Sequence, residues 1–112
     1  MFSKLCDTTS SYIIAEVGQN HQGSIKEALK YVSTFSSLGA NAVKFQVRNN
    51  KFLFDDSIYN SPYNSENSFG STYGQHREAL ELTAYELREL RQFTKSLCID
   101  FVITPFDSPS LE

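Results

Sequence analysis

The 112-residue chain contains no tryptophan, two cysteines, three prolines and five glycines. Its two cysteines, Cys6 and Cys98, match no metal-binding or redox spacing, so we expect free thiols in a reducing cytoplasm. Ten basic against thirteen acidic residues give a net charge of −3, which argues against a nucleic-acid or anionic-membrane partner. No apolar run exceeds about six residues, whereas a membrane-spanning helix needs about 20. Residues 1–6 also lack the apolar core of a secretory signal.

What the chain does contain is a globular composition, 40% apolar and 13% aromatic, which predicts a compact, soluble, cytoplasmic protein. Three short apolar runs alternate with two amphipathic patterns, and we interpret them as three strands and two helices. The runs span residues 12–17, 42–47 and 101–104, and the last of them stops at Pro105.

Both helices have recognisable starts. Ser24 and Glu27 form a Ser-x-x-Glu capping box, and Thr83 and Glu86 form a second box of the same type. Gly39 stands where a left-handed cap would end the first helix. Ser108, followed by proline, is predicted to cap a third helix. The predicted core faces comprise Ile25, Ala28, Leu29, Val32 and Phe35 in the first helix, and Leu87, Leu90, Phe93 and Leu97 in the second.

The β-α-β-α-β order predicts an α/β fold with parallel strands joined by helical crossovers. Two architectures fit: a small flavodoxin-like sheet, or the start of a (β/α)8 TIM barrel, which needs about 250 residues. Because the chain stops just inside a capped helix, we expect residues 1–112 to be an N-terminal fragment of a barrel domain. Residues 48–82 are predicted to be a long connection without secondary structure, which could be a lid or binding loop or simply a tolerated surface excursion.

Polar side chains recur on one side of the predicted sheet. Alternation places Ile13, Ala15 and Val17 on the apolar face that packs on helices, and Glu16 on the opposite face. The same alternation adds Lys44, Gln46 and Thr104 to the polar face, near the ends where α/β proteins build their sites. We expect Glu16 and Lys44 to be buried charges. They could be explained as a mutual ion pair or, as we prefer, as part of a polar ligand site.

Three further candidates lie in the connections that follow the strands. Asn20 and His21 belong to a polar loop between two glycines that crosses the same mouth, although a loop histidine is more often structural than a metal ligand. Arg77 lies in a segment that combines aromatic, imidazole, guanidinium and carboxylate side chains. No metal ligand is assigned in this chain.

Three motifs in this order resemble the opening of the sialic acid synthase family, the N-acetylneuraminate synthases and their legionaminic and pseudaminic acid relatives. The motifs are IAEVGQNHQGS at 14–24, AVKFQ at 42–46 and TPFD at 104–107. The stretch YGQHREALE at 73–81 also looks like the segment before the second helix in many bacterial members. The resemblance favours the neuraminic or legionaminic branch over the pseudaminic one.

The resemblance implies a condensation of phosphoenolpyruvate with an N-acylated amino sugar such as N-acetylmannosamine, giving a nonulosonic acid and phosphate. It implies that Lys44 and Thr104 bind phosphoenolpyruvate, that Gln46 lies by the sugar, and that Glu16 acts at the reacting centre. It also implies a divalent metal, Mn or Mg, with ligands outside this chain, an antifreeze-like C-terminal domain absent from it, and a homodimer.

Two other hypotheses remain open. Lys44 could form a Schiff base in an aldolase-like barrel, since a buried lysine can be nucleophilic. Alternatively, the chain could be a small α/β binding domain without catalysis, which would fold alone as a soluble monomer.

Overall fold

In the computed structural model, which describes residues 10–112, three parallel strands form one sheet in the order β1-β2-β3. The strands are β1 (Ile14–Gly18), β2 (Ala42–Val47) and β3 (Asp100–Pro105). The two long helices are α1 (Ile25–Ser37) and α5 (Ala84–Ser96). The predicted β-α-β-α-β order and parallel pairing are therefore confirmed. The third strand extends one residue further at each end than its apolar run, and Pro105 pairs with Val47.

Both long helices pack against the same face of the sheet. Val17, Val43 and Phe45 on the strands are buried in one apolar cluster with residues of α1 and α5, and α1 also contacts α5. Burial of each large apolar side chain contributes about 1.5–3 kcal/mol. Helices on a single face, with strands in chain order, are the arrangement of successive barrel units. A doubly wound sheet covers both faces instead. The helix residues of the cluster are Ala28, Val32 and Leu90, with Ile25, Leu29, Phe35, Leu87, Phe93 and Leu97 packed around them.

The side-chain alternation in β1 holds from Ala15 onward, and the prediction is wrong for Ile13. This residue precedes β1 and is 54% exposed, whereas Ala15 and Val17 pack in the core as expected. The period of two applies only where the backbone is a strand, and β1 begins at Ile14.

The two predicted capping boxes differ in outcome. The box at the start of α5 is complete, because Thr83 accepts from the Glu86 N–H and Glu86 accepts from the Thr83 N–H. At α1 the Ser24 hydroxyl accepts from the Glu27 N–H at 3.2 Å, but the predicted return contact is wrong. The Glu27 carboxylate instead pairs with the Lys30 ammonium at 2.8 Å, since a full positive charge one turn along offers a stronger partner.

Both long helices end in the same backbone motif. After α1, Gly39 adopts φ +92° as predicted, and the Ala40 N–H donates to the Phe35 carbonyl at 3.0 Å. After α5 the left-handed position is filled by Cys98, at φ +57°. The Cys98 thiol is exposed and free, as predicted, while Cys6 lies outside the described residues.

Residues 48–82 are not without secondary structure, so that prediction is wrong. They contain α2 (Asn50–Leu53), α3 (Asp56–Tyr59) and α4 (Tyr73–Ala79), together with an antiparallel bridge between Pro62 and Thr72. Helices of four to seven residues are too short to show an apolar period. Their signals are the N-caps Asn49, Asp55 and Thr72, each of which accepts a backbone hydrogen bond.

The last element is a 3₁₀ helix, Pro109–Leu111, with proline in its first turn as expected. Its predicted cap is wrong: Ser108 is already helical at φ −63°, and within the described residues its side chain makes no capping bond. Asp107 accepts from the Ser110 N–H at 2.8 Å instead. Among the helices that the structure describes, none has the length and apolarity to cross a membrane.

Candidate functional site

The register of the sheet brings the predicted polar residues together. Glu16 pairs with Lys44 between β1 and β2, and Gln46 pairs with Thr104 between β2 and β3. The Lys44 Nζ lies 3.5 Å from the Glu16 Oε2, and the Gln46 Nε2 donates to the Glu16 Oε1 at 3.2 Å. Since the neighbouring strand residues fill the core, these four side chains share the face that α1 and α5 leave uncovered.

The Glu16–Lys44 contact is an ion pair, but the expected burial is not found in the described part of the chain. The side chains of Lys44 and Glu16 are 37% and 43% exposed. An exposed pair of this kind contributes about 0–1 kcal/mol. Its position at the strand ends is therefore better explained by binding than by stability.

A second polar network lies behind this group and connects it with α4. The Arg48 Nη2 donates to the Gln46 Oε1 at 2.8 Å, and the Arg48 backbone N–H donates to the Glu81 Oε2 at 3.2 Å. Gln19 links the two sides, because its Nε2 donates to the Glu81 Oε1 at 2.6 Å while its Oε1 accepts from the Arg77 Nη2 at 3.2 Å. Arg77 is thus brought next to the strand ends, whereas the importance of Arg48, Glu81 and Gln19 was missed by sequence reasoning.

Burial shifts the pKa of two charged residues in this network, Glu81 and Arg48. It raises the pKa of Glu81 above its usual value, against hydrogen bonds from Arg48 and Gln19 that lower it. Burial also lowers the pKa of Arg48, and the like charge of Arg77 lowers it further. The Arg48 guanidinium stacks 3.9 Å from the centroid of the Phe106 ring, a cation–π contact that favours this position of the side chain.

The two candidates in the β1–α1 loop, Asn20 and His21, form hydrogen bonds within their own segment of the chain. The Asn20 Nδ2 donates to the Val17 carbonyl at 2.9 Å. The His21 ring is 2% exposed, lies 5.9 Å from the Phe45 ring centroid, and accepts from the Gly23 N–H through Nδ1 at 3.0 Å. Burial lowers the pKa of His21 and favours the neutral ring. Of the two interpretations of this histidine, the geometry supports the structural one, because the ring packs on the core side of the sheet.

A metal site does not assemble from the described residues alone. Among residues 10–112, no group of three His, Cys, Asp or Glu side chains is positioned to hold a metal ion. The carboxylate at the strand ends, Glu16, is already paired with Lys44 and Gln46. The donor set therefore does not fit a bound metal without further ligands.

Comparisons with known proteins give consistent matches. The model of the NeuB family matches residues 31–112. The N-acetylneuraminate-9-phosphate synthase of Drosophila melanogaster is 39% identical over 109 residues, which cover 97% of this chain and 29% of that protein. The N,N'-diacetyllegionaminic acid synthase of Legionella pneumophila is 34% identical over 102 residues, covering 90% of this chain and 29% of that protein.

A solved structure gives the same result. The crystal structure of N-acetylneuraminic acid (sialic acid) synthetase from Leptospira borgpetersenii, in complex with citrate, superimposes with a TM-score of 0.67 and 29% identity. The match covers 89% of this chain and 30% of that one. The chain therefore spans less than a third of the length of these relatives.

Proposed function

Because this chain belongs to the NeuB family, as its motifs predicted, we propose that it is part of an enzyme that condenses phosphoenolpyruvate with an N-acylated amino sugar. Its relatives are sialic acid and legionaminic acid synthases, so the chain comes from a family of synthases. We assign it an N-acetylmannosamine-type acceptor and a nonulosonic acid product such as N-acetylneuraminate or legionaminate. We further propose a cytoplasmic enzyme.

We propose that the three strands are the first three of a (β/α)8 barrel. Two features support this: the strands follow one another in chain order, and both long helices lie on the same face. The remaining strands, an antifreeze-like C-terminal domain and a homodimer partner would then complete the enzyme. The polar face of the sheet would become the barrel interior, with Glu16, Lys44, Gln46 and Thr104 near its C-terminal mouth.

The observation that carries the proposal is the contact of an amine, a carboxylate and an amide at adjacent strand ends. Lys44 supplies a compact positive charge for the anionic groups of phosphoenolpyruvate. Thr104, beside Gln46 in the register, offers a hydroxyl to the same anion. Gln46 can donate to and accept from sugar hydroxyls.

Glu16 is assigned to the reacting centre. In the reaction, the enol carbon of phosphoenolpyruvate bonds to the aldehyde carbon of the sugar while the aldehyde C=O π bond opens and its oxygen takes up a proton, which leaves a cationic centre on the donor. Water adds to that centre and loses a proton. The bond from the same carbon to the phosphate oxygen then breaks, the added hydroxyl loses its proton to become the keto group, and phosphate departs. A carboxylate 3.5 Å from Lys44 would lie close to the bound donor, where it can stabilise the positive charge or accept the proton.

The divalent metal is proposed to take its ligands from outside residues 10–112, since the described donors do not form a site for it. In the complete enzyme such a metal would polarise the aldehyde oxygen of the sugar. The steps assigned to this chain do not involve it.

The test measures phosphate release from phosphoenolpyruvate by the complete protein. Release should require both an N-acylated mannosamine and a divalent metal. Lys44→Ala should raise KM for phosphoenolpyruvate roughly 10- to 100-fold, because a charge-assisted contact is lost. Glu16→Gln should lower kcat by at least about 100-fold, the usual contribution of a positioned acid or base.

The chain provides a matched control in Lys30 and Glu27, an exposed ion pair of the same residue types on α1. Lys30→Ala and Glu27→Gln should leave both kinetic constants unchanged. Equal effects of the two pairs, or phosphate release without the sugar, would contradict the assigned roles.

The Schiff-base hypothesis for Lys44 is less well supported by this geometry. An ion pair with Glu16 uses the charged ammonium, whereas Schiff-base formation requires a neutral amine. Borohydride trapping of a substrate adduct on Lys44 would favour that hypothesis over the synthase reaction.

A further inference from the structure

Residues 62–72 form an arm that lies against α4. The arm is closed at its ends by the antiparallel bridge between Pro62 and Thr72. None of its residues is buried, whereas His76 on α4 is only 9% exposed. A segment with so little buried surface opens at a low cost in free energy. The contacts that hold the arm to α4 therefore decide whether it stays closed.

Two backbone groups of the arm are held by side chains of α4. The Phe69 N–H donates to the His76 Nδ1 at 3.2 Å. The Ser71 N–H donates to the Gln75 Oε1 at 3.0 Å. A proton can block only the first of these acceptors, because an imidazole nitrogen titrates near neutral pH and an amide oxygen does not.

The His76 ring is enclosed by aromatic side chains. Its centroid lies 4.5 Å from that of the Tyr63 ring and 5.8 Å from that of the Phe69 ring, both on the arm. The Tyr73 ring of α4 lies 6.4 Å away. These rings attract a cation, but a proton on Nδ1 would still point at the Phe69 N–H.

The charged groups around His76 do not compensate a positive ring. Burial lowers the pKa of His76, and the like charge of Arg77 lowers it further. Within residues 10–112 no carboxylate forms an ion pair with the ring, because Glu66 is exposed and Glu78 accepts from the Tyr59 hydroxyl. The tyrosines nearby are uncharged below about pH 8. The titratable side chains on the adjoining elements are Tyr63 and Glu66 of the arm, Tyr73, Arg77 and Glu78 of α4, and Tyr59 of α3, which packs on Gly74.

We propose that His76 is a pH-sensitive switch: its neutral ring holds residues 62–72 on α4, and its protonation releases them while the sheet and the two long helices stay folded. Protonation adds a hydrogen to Nδ1, so that two donors, Nδ1–H and the Phe69 N–H, face each other and their hydrogen bond is lost. The arm then opens, and water reaches the charged ring. The inference goes beyond the proposed reaction and does not depend on it. The switch lies beside the network behind the strand ends, since the next residue of α4, Arg77, donates to Gln19.

The test measures hydrogen–deuterium exchange of the complete protein at about pH 7.5 and about pH 5.5, with each rate divided by the intrinsic exchange rate at that pH. In the opened arm His76 titrates near the usual histidine pKa of about 6.5, whereas in the closed arm its pKa is lower. Protection of residues 62–72 should therefore fall roughly five- to tenfold between the two pH values. Peptides from β2 and α5 should keep their protection.

Three variants separate the switch from a general effect of acid. His76→Asn keeps an acceptor near the position of Nδ1 but does not titrate, so protection of the arm should no longer depend on pH. His76→Phe keeps an aromatic ring and removes the acceptor, and should give low protection at both pH values. Gln75→Ala is the matched control. It removes the contact with Ser71 that does not titrate, so it should lower protection equally at both pH values and keep the pH dependence.

Three results would overturn the inference. The first is equal protection of the arm at both pH values in the unmodified protein. The second is a pH dependence that persists in either His76 variant. The third is a loss of protection in β2 and α5 that accompanies the loss in the arm, because the whole domain would then unfold.

Discussion

The contact between the β1–α1 loop and α4 can be tested at a single glycine. Gly23 has φ +78°, and a Cβ atom placed on it would lie 2.0 Å from the Ala79 carbonyl oxygen at the end of α4. Gly39 is a matched control, because it has φ +92° but no described heavy atom within 4 Å of an added Cβ. An alanine at either position meets the same backbone strain, whereas only Gly23→Ala also forces the loop away from α4.

The magnitudes follow from these two terms. A left-handed conformation costs a non-glycine residue about 1–2 kcal/mol, and about 0.5–1 kcal/mol of this is offset by the lower entropy of the unfolded alanine chain. Gly39→Ala should therefore destabilise by about 1 kcal/mol. Gly23→Ala adds an overlap that the backbone must relieve by moving, at about 1–3 kcal/mol more. The expected loss for Gly23→Ala is about 2–4 kcal/mol.

Urea denaturation of the two variants of the complete protein measures the difference. The two glycine variants can also be compared for activity. In Gly23→Ala the displaced loop carries Gln19, which bonds to both Glu81 and Arg77. Gly23→Ala should reduce phosphate release under conditions in which it is still folded, and Gly39→Ala should not. Equal urea midpoints for the two variants would refute the close approach of the loop to α4 as the reason for glycine at this position.

Two further predictions concern stability. Cys98→Gly should stabilise the protein by about 0.5–1 kcal/mol, because glycine relieves the left-handed strain at φ +57° at a smaller entropic cost; a lower urea midpoint would contradict this. Burial lowers the pKa of both His21 and His76, so the folded state binds fewer protons than the unfolded state near their usual pKa of about 6.5. Their contribution is complete above that pH and should decrease as the pH falls below it, by up to about 1.4 kcal/mol per pH unit for each histidine. Urea midpoints that are constant between about pH 7.5 and pH 6 would exclude it.

The long elements could be predicted because their signals are local and repeated. The apolar period of α1 and α5 identified both helices and the residues that face the core. Prediction failed where one residue decides the outcome, as at the 3₁₀ helix. Asp107 and Ser108 are both residue types that cap helices, so the sequence alone does not choose between them. Ser108 is excluded because its backbone is already helical, and Asp107 caps the 3₁₀ helix instead.

The polar face was predictable for a similar reason. A period of two places Glu16 on one side of β1 and Lys44 on one side of β2, and two adjacent parallel strands bring those sides together. The register that pairs Glu16 with Lys44 was not predictable, because sliding one strand by two residues would leave the same side chains on the same faces.

The network behind that face could not be predicted from any periodic pattern. Gln19 and Glu81 are 62 residues apart in the chain, and Gln19 and Arg77 are 58 apart. Their contact depends on how the segment between β2 and α5 folds, which is set by three short capped helices rather than by an apolar stripe. In our proposal the strands supply the residues for the chemistry, Glu16 and Lys44. Substitutions at Glu16 or Lys44 should therefore change whether the reaction occurs at all.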